Sequence, residues 1–230
     1  MKTLGLVLAL VIVASGACVA ANVTYDIFDG WNLVCAPLVP FNPDPNDVFD
    51  GAPYGVDGLL TRFDAPSSGN ITYDSLDPQA FGNILLGDGY WLYSYGGGTI
   101  DFDGVPDGVP DGSGNMTDMW ISLPGNQLDG QDAGGWHLIG HPFNHDTPVD
   151  DGSGTGANIY FTDGTTLKNW SEAAAAGWVA DAMITYDNVA GNLNVQFDGL
   201  GDDDTLRPSH GYWLFTYKDN LAMIIPAYTP

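Results

Sequence analysis

Clustered aspartates are the residues of this chain whose spacing points most directly to chemistry. In "TIDFDGVPDGVPDG", Asp101, Asp103, Asp107 and Asp111 are set around glycines. Alternate carboxylates, joined by backbone carbonyls in a tight turn, can supply the oxygens that a calcium ion takes. "GLGDDDTLRP" gathers Asp202, Asp203 and Asp204 and is a second candidate of the same kind. The competing expectation for the first cluster is that Ile100 and Phe102 lie in a strand, with Asp101 and Asp103 on its wet face. Histidines offer a third possibility. His137, His141 and His145 recur every fourth residue in "WHLIGHPFNHD", but Pro142 forbids the helix that would align them. On an extended strand His137 and His141 share a face, and Asp146 would complete a two-His metal site. The preferred reading is that His137 stands where a matching segment has Asn32 and bonds locally.

Catalytic signatures are missing. The chain contains no Gly-x-Ser-x-Gly, no His-Glu-x-x-His, no glycine-rich phosphate loop and no Cys-His pairing. Carboxylates are too many to single out an acid/base pair, and Glu172 is the only glutamate among the 29 acidic residues. Asn-x-Ser/Thr sequons occur at Asn22, Asn70, Asn115 and Asn169, of which Asn70 and Asn115 have turn-like surroundings suited to glycosylation. Seven tryptophans raise the prospect of sugar stacking. Trp31, Trp91, Trp136 and Trp213 fall in recurring strands and are expected in the core, which leaves Trp120 and Trp170 as the candidate platform.

Composition narrows the partners. The formal charge is −24, and such a surface repels phosphate backbones, so nucleic acid is not an expected ligand. Aspartate in place of glutamate marks turns rather than helices, and Asp-Gly pairs at 29–30, 50–51, 57–58, 163–164 and 198–199 read as turns. Residues 1–21 read as a signal peptide: Lys2, an apolar run from Leu4 to Ala14, then Val19 and Ala21 at the small positions before a cut at Asn22. A lipidated Cys18 is the alternative, disfavoured by Ser15 where such signals carry Leu. Secretion to the cell exterior or surface follows, with no membrane span after cleavage. Cys35 in "WNLVCAP" is expected to be a buried thiol.

The elements that must position these residues come in duplicate. "GWNLVCAP" at 30–37 matches "GWHLIGHP" at 135–142, an offset of 105. "ITYD" recurs at 71 and 184, an offset of 113, and "GYWL" at 89 and 211, an offset of 122. One module copied and lengthened explains the order. The first module is placed at 22–103, a Pro/Gly/Asp linker at 104–116 and the second module at 117–230. Alternation predicts strands up to Asp29-Gly30 and again from Trp31, a hairpin around "NVAGN", the Gly-Tyr-Trp strands, and closing strands at "TIDF" and "LAMIIP". One helix is predicted, in "TLKNWSEAAAAGW", capped by Thr166 and ended by Gly177.

The second copy, "GWHLIGHPFN…LKNWSEAAAAGWV…ITYDN…HGYWLFTYKDNLAMIIP", resembles a module of bacterial secreted and surface proteins. That module reads Gly-Trp-Asn-Leu-Ile-Gly-x-Pro, then Ala-Gly-Trp, a Tyr-Asp hairpin and a closing Gly-Tyr-Trp strand. Trp136, Leu138, Pro142, Ala176, Gly177, Trp178, Tyr186, Gly211, Tyr212 and Trp213 match it, while His137 and His141 depart from it. The resemblance implies a β architecture and a surface location, and no activity. The aspartate run at 99–111 partly resembles thrombospondin type 3 calcium loops, with Thr99 in place of the first Asp.

The expectation is an all-β protein of two tandem sandwich or open-barrel modules with one short helix in the second. The Gly-Tyr-Trp strands would bury Trp and send Tyr hydroxyls to the rim. The first functional expectation is a non-enzymatic subunit of an extracellular filament, sheath or surface layer. It would self-associate through strand edges and be stabilised by calcium. A carbohydrate-binding or adhesin module is the alternative, with glycans as partners.

Overall fold

A computed structural model describes residues 20–106, 117–126, 133–149, 158–196 and 205–227. The first half contains β1 (Ala21–Ile27), β2 (Gly30–Val34), β3 (Val39–Pro40), α1 (Pro45–Val48), β4 (Leu60–Asp64), β5 (Gly69–Thr72), α2 (Pro78–Phe81), β6 (Tyr90–Ser94) and β7 (Gly98–Val105). The second contains β8 (Met119–Leu123), β9 (Ala133–Gly140), β10 (Thr147–Pro148), β11 (Tyr160–Thr162) and β12 (Leu167–Asn169). It continues with α3 (Trp170–Ala175), β13 (Val179–Asp187), β14 (Asn192–Gln196), β15 (Thr205–Leu206), β16 (Gly211–Lys218) and β17 (Leu221–Ile225). The class is all-β. Four small antiparallel sheets sit in a propeller-like arrangement, with β10–β15 as an added two-stranded pair.

The copying is visible in the pairing. In the first half β1 pairs with the last strand, giving the order β1–β7–β3, and β2–β6–β4–β5 forms the other sheet. In the second half the orders are β12–β11–β17–β8 and β14–β13–β16–β9, so first again meets last and second meets penultimate. Each half has its own apolar cluster. One runs from Ile27 to Phe102 and includes Phe49, Tyr90 and Ile100; the other runs from Ile121 to Ile225 and includes Phe161, Trp170, Tyr212 and Met223.

Several expectations change. The "ITYD" match is not a structural equivalence: Ile71 and Thr72 lie in β5, whereas Ile184 to Asp187 lie in β13. The register shows the true counterparts, because Thr61 pairs with Trp91 as Ile184 pairs with Trp213. The offset is therefore 123 here and 122 at Gly-Tyr-Trp, so the added length lies between the first block and this one. Strand β7 runs to Val105, two residues into the range read as linker, because Gly104 and Val105 pair with β3. Ala21, read as the last signal residue, is the first residue of β1 and pairs with Gly104. The helix is shorter than predicted: residues Leu167 to Asn169 form β12, and the cap is Asn169, not Thr166. The two additional one-turn helices, α1 and α2, each start on a proline that follows an aspartate.

The halves join through reciprocal backbone bonds. Cys35 N–H donates to Ser209 O at 3.1 Å and Gly140 N–H donates to Gly87 O at 2.8 Å. These are the same bond in the two copies, since Cys35 matches Gly140 and Gly87 matches Ser209. Val34 bridges His210, and Ile139 bridges Asp88. Glycine is required at this seam: a Cβ on Gly140 would lie 2.3 Å from Cys35 Cβ, and one on Gly89 would lie 2.6 Å from Ile139 O.

Candidate functional site

The Gly-Tyr-Trp strands divide their side chains by parity, and the outcome reverses the expected one. Tyr90 and Tyr212 are 0% and 1% exposed, with Leu92, Ser94, Leu214 and Thr216 buried beside them. Each tyrosine hydroxyl accepts a hydrogen bond at 2.8 Å from the backbone N–H five residues earlier, Leu85 and Arg207 respectively. The tyrosine therefore plugs the core and ties down the preceding loop. Trp91 and Trp213 are half-buried on the opposite face, and Trp31 and Trp136, expected in the core, are 47% and 42% exposed. The physical reason is the two-residue period of a strand: Tyr and the aliphatic Leu share one parity, so Trp must take the other.

The outward aromatics interlock. Trp31 meets Trp91 and Tyr93 edge to face at 6.0 and 5.1 Å, and Trp136 meets Trp213 and Phe215 at 6.1 and 5.1 Å. The two sets cross between the halves. Trp91 packs on Tyr186 at 5.1 Å, and Trp213 packs on Phe63 at 4.9 Å. Contacts of this geometry contribute about 0.5–1.5 kcal/mol each beyond burial. They also pre-set the rings.

Between them lies an open groove of about 450 Å³, lined by Trp31, Trp91, Trp213, Phe63 and Tyr186 with Thr61, Asn70 and Thr72. Among the described residues, no formally charged side chain lines it, in a chain of net charge −24. Thr61 and Thr72 are cross-strand partners with hydroxyls 3.2 Å apart, and Asn70 pairs with Phe63 in register. Asn70 is thus in strand β5, not in a turn, and a glycan attached to it would lie in the groove itself. Asn115 is outside the described residues.

The other candidate residues are placed as follows. Asp101 and Asp103 alternate with buried Ile100 and Phe102 on β7, as the wet-face expectation had it, and do not form a loop. Asp101 accepts from the Thr24 hydroxyl at 2.9 Å and Asp103 from the Asn22 amide at 2.8 Å, both on β1. They border a depression of about 420 Å³ shared with Asp47 and Asp50. Asp107, Asp111, Asp202, Asp203 and Asp204 are outside the described residues. Among the described residues, no three metal-ligating side chains gather.

His141 is fully buried and bonded at both nitrogens. Nδ1 donates to Phe143 O at 3.1 Å, so Nε2 is the acceptor for the Thr147 hydroxyl at 2.8 Å. That leaves no lone pair for a metal, and burial pushes its pKa down to about 3. His137 is buried and bonded to Thr216 at 3.1 Å, with a pKa pushed down to about 4 by the same cause. Cys35 is buried, its thiol donating to the carbonyls of His141 and His210, and burial raises its pKa.

Of the expected platform residues, Trp170 is 4% exposed and packs on Phe161 at 5.1 Å, so it belongs to the core. Trp120 is 60% exposed beside a shallow depression with Tyr160 and Leu167. Among the described residues, no helix is long and apolar enough to cross a membrane. No family model, curated protein or solved structure matches the chain.

Proposed function

We propose that this chain is an extracellular carbohydrate-binding or adhesin module, binding rather than catalytic, whose ligand lies in the groove between the two halves. The observation that carries the reading is the lining of that groove. Three tryptophans, a phenylalanine and a tyrosine surround two threonine hydroxyls and an amide, with no charged side chain among the described residues. Sugar rings combine apolar C–H faces with hydroxyl edges, and this mixture of aromatic faces and uncharged hydrogen-bonding groups suits both. An exposed aromatic surface without such a partner is also a liability in water. The sandwich or open-barrel description of each half, as two sheets around one core, is part of the reading. Retention of the secreted chain on insoluble polysaccharides tests it. Wild type should be retained, and Trp91→Ala and Trp213→Ala should be released. Wild type passing through every column would end the proposal.

A second reading, a subunit of a filament, sheath or surface layer, draws on the outer strand β14. Among the described residues that strand is an edge, with exposed Leu193 and Val195, and an edge of this kind can pair with another chain. Electron microscopy of concentrated protein should show polymers in that case, and a persistent monomer counts against it. In the same reading calcium held by the aspartate clusters supports the assembly. A melting midpoint unmoved by chelation removes the ion.

A further inference from the structure

The duplication supplies an internal control for the groove. Its three polar residues have exact register counterparts in the second half. Thr61 pairs with Trp91 as Ile184 pairs with Trp213, so Thr61 matches Ile184. Asn70 pairs with Phe63 as Leu193 pairs with Tyr186, and Thr72 pairs with Thr61 as Val195 pairs with Ile184. Hence Asn70 matches Leu193 and Thr72 matches Val195. The aromatic frame persists in both copies: Trp31 matches Trp136, Trp91 matches Trp213 and Phe63 matches Tyr186. The cross-strand ladder changes in character, whereas the frame changes only by the hydroxyl of Tyr186. In the first copy it is Thr, Asn, Thr; in the second it is Ile, Leu, Val, with Leu193 and Val195 exposed.

Resting on the carbohydrate reading above, we infer that Thr61, Asn70 and Thr72 are the specificity-determining residues. We further infer that the ligand is an uncharged chain of pyranose sugars, and that each protein chain holds one such ligand, not two. The chemistry is direct. A pyranose with equatorial hydroxyls offers C–H groups on its faces and hydroxyls around its edge. Its faces lie against Trp31, Trp91 and Trp213, while its edge meets the hydroxyls of Thr61 and Thr72 and the amide of Asn70. On the second copy the same edge would meet three aliphatic side chains and lose its water without replacement bonds, which disfavours binding there. An anionic sugar finds no cation among the groove residues and meets the field of a chain with net charge −24.

Isothermal titration with cellohexaose and chitohexaose, against a hyaluronan hexasaccharide as the anionic probe, tests this. The expected result is binding of a neutral probe with one site per chain and no binding of hyaluronan. The triple variant Thr61→Ile, Asn70→Leu, Thr72→Val keeps the aromatics and should weaken the neutral probe by about tenfold, the loss of roughly two ordinary hydrogen bonds. Asn70→Leu alone, at an exposed position, should weaken it in the same direction. An unchanged melting midpoint confirms that each variant folds. Wild type binding no neutral oligosaccharide overturns the carbohydrate reading and this inference with it. Wild type binding while both variants bind equally well, or two sites per chain, or equal affinity for hyaluronan, overturns this inference and leaves the carbohydrate reading standing.

Discussion

Gly89 and Gly211, Tyr90 and Tyr212, Trp91 and Trp213 occupy equivalent places, and each pair meets its own environment. The glycines touch the opposite half, where a Cβ on Gly211 would sit 2.9 Å from Leu33 Cγ. The tyrosines fill the two cores, and the tryptophans face the groove. Parity alone would have assigned these roles, since Leu92 and Leu214 share the tyrosines' side of the strand. Histidine burial carries a consequence at the same scale. His141 and His137 hold folded-state pKa values of about 3 and 4, below the ordinary 6.5 of the unfolded chain. Between those limits the unfolded state binds more protons, so their contribution is complete above pH 6.5 and is lost as pH falls towards 3. Asp88 acts oppositely, because burial raises its pKa to about 6, and it loses stability as pH rises from 4 to 6. Two groups outweigh one, so the urea midpoint of wild type should fall between pH 6.5 and pH 4. His141→Gln, which cannot titrate, should make the pH slope of the unfolding free energy from the same titrations shallower by about 1.4 kcal/mol per pH unit. An equal slope in the variant would show that His141 is not the source.

Among the elements, α3 shows how a local competition sets a boundary. Propensity favours a helix from Thr166, but Leu167 to Asn169 pair with β11 and extend the sheet instead. The helix then starts at Trp170 and is capped by Asn169, whose side chain accepts from Glu172 N–H at 2.8 Å while Glu172 reaches back to the Asn169 N–H at 3.1 Å. The only glutamate of the chain thus serves a capping box. At the far end Gly177 has φ +68°, and Trp178 N–H donates to Ala173 O at 2.9 Å, which turns the chain back towards the core. Replacing Asn169 with Ala should cost about 1 kcal/mol in unfolding free energy, read by chemical denaturation. A cost indistinguishable from zero would mean that tertiary packing of Trp170 alone holds the helix.

For the whole molecule, the decisive feature is the seam at which each half closes on the other. It is nearly two-fold, and its asymmetry is Cys35 facing Gly140. Gly140→Ala would drive a methyl into Cys35 Cβ and into Asp88 O, which a Cβ would approach to 2.5 Å. Unfolding free energy should drop by about 1–3 kcal/mol, whereas Gly96→Ala, in open space, should leave it within about 0.5 kcal/mol. Equal behaviour of the two alanines would mean that the seam yields more readily than its packing suggests.

The chain on its own settled the all-β class, the copying, the turns at Asp50-Gly51 and Asp57-Gly58 and the strand positions around Gly-Tyr-Trp. These are written in local patterns: alternation, glycine at positive φ and repeated words. It misled where a repeated word was coincidental, as with "ITYD", and where size was taken for burial, as with Trp31 and Trp136. Tertiary structure alone decided the rest. Which face of a strand is covered depends on what packs against it from elsewhere in the chain. The groove exists because Tyr186 and Trp213, more than ninety residues beyond the first sheet's last groove residue, close against that sheet's outer face. No local pattern encodes a contact made over that distance.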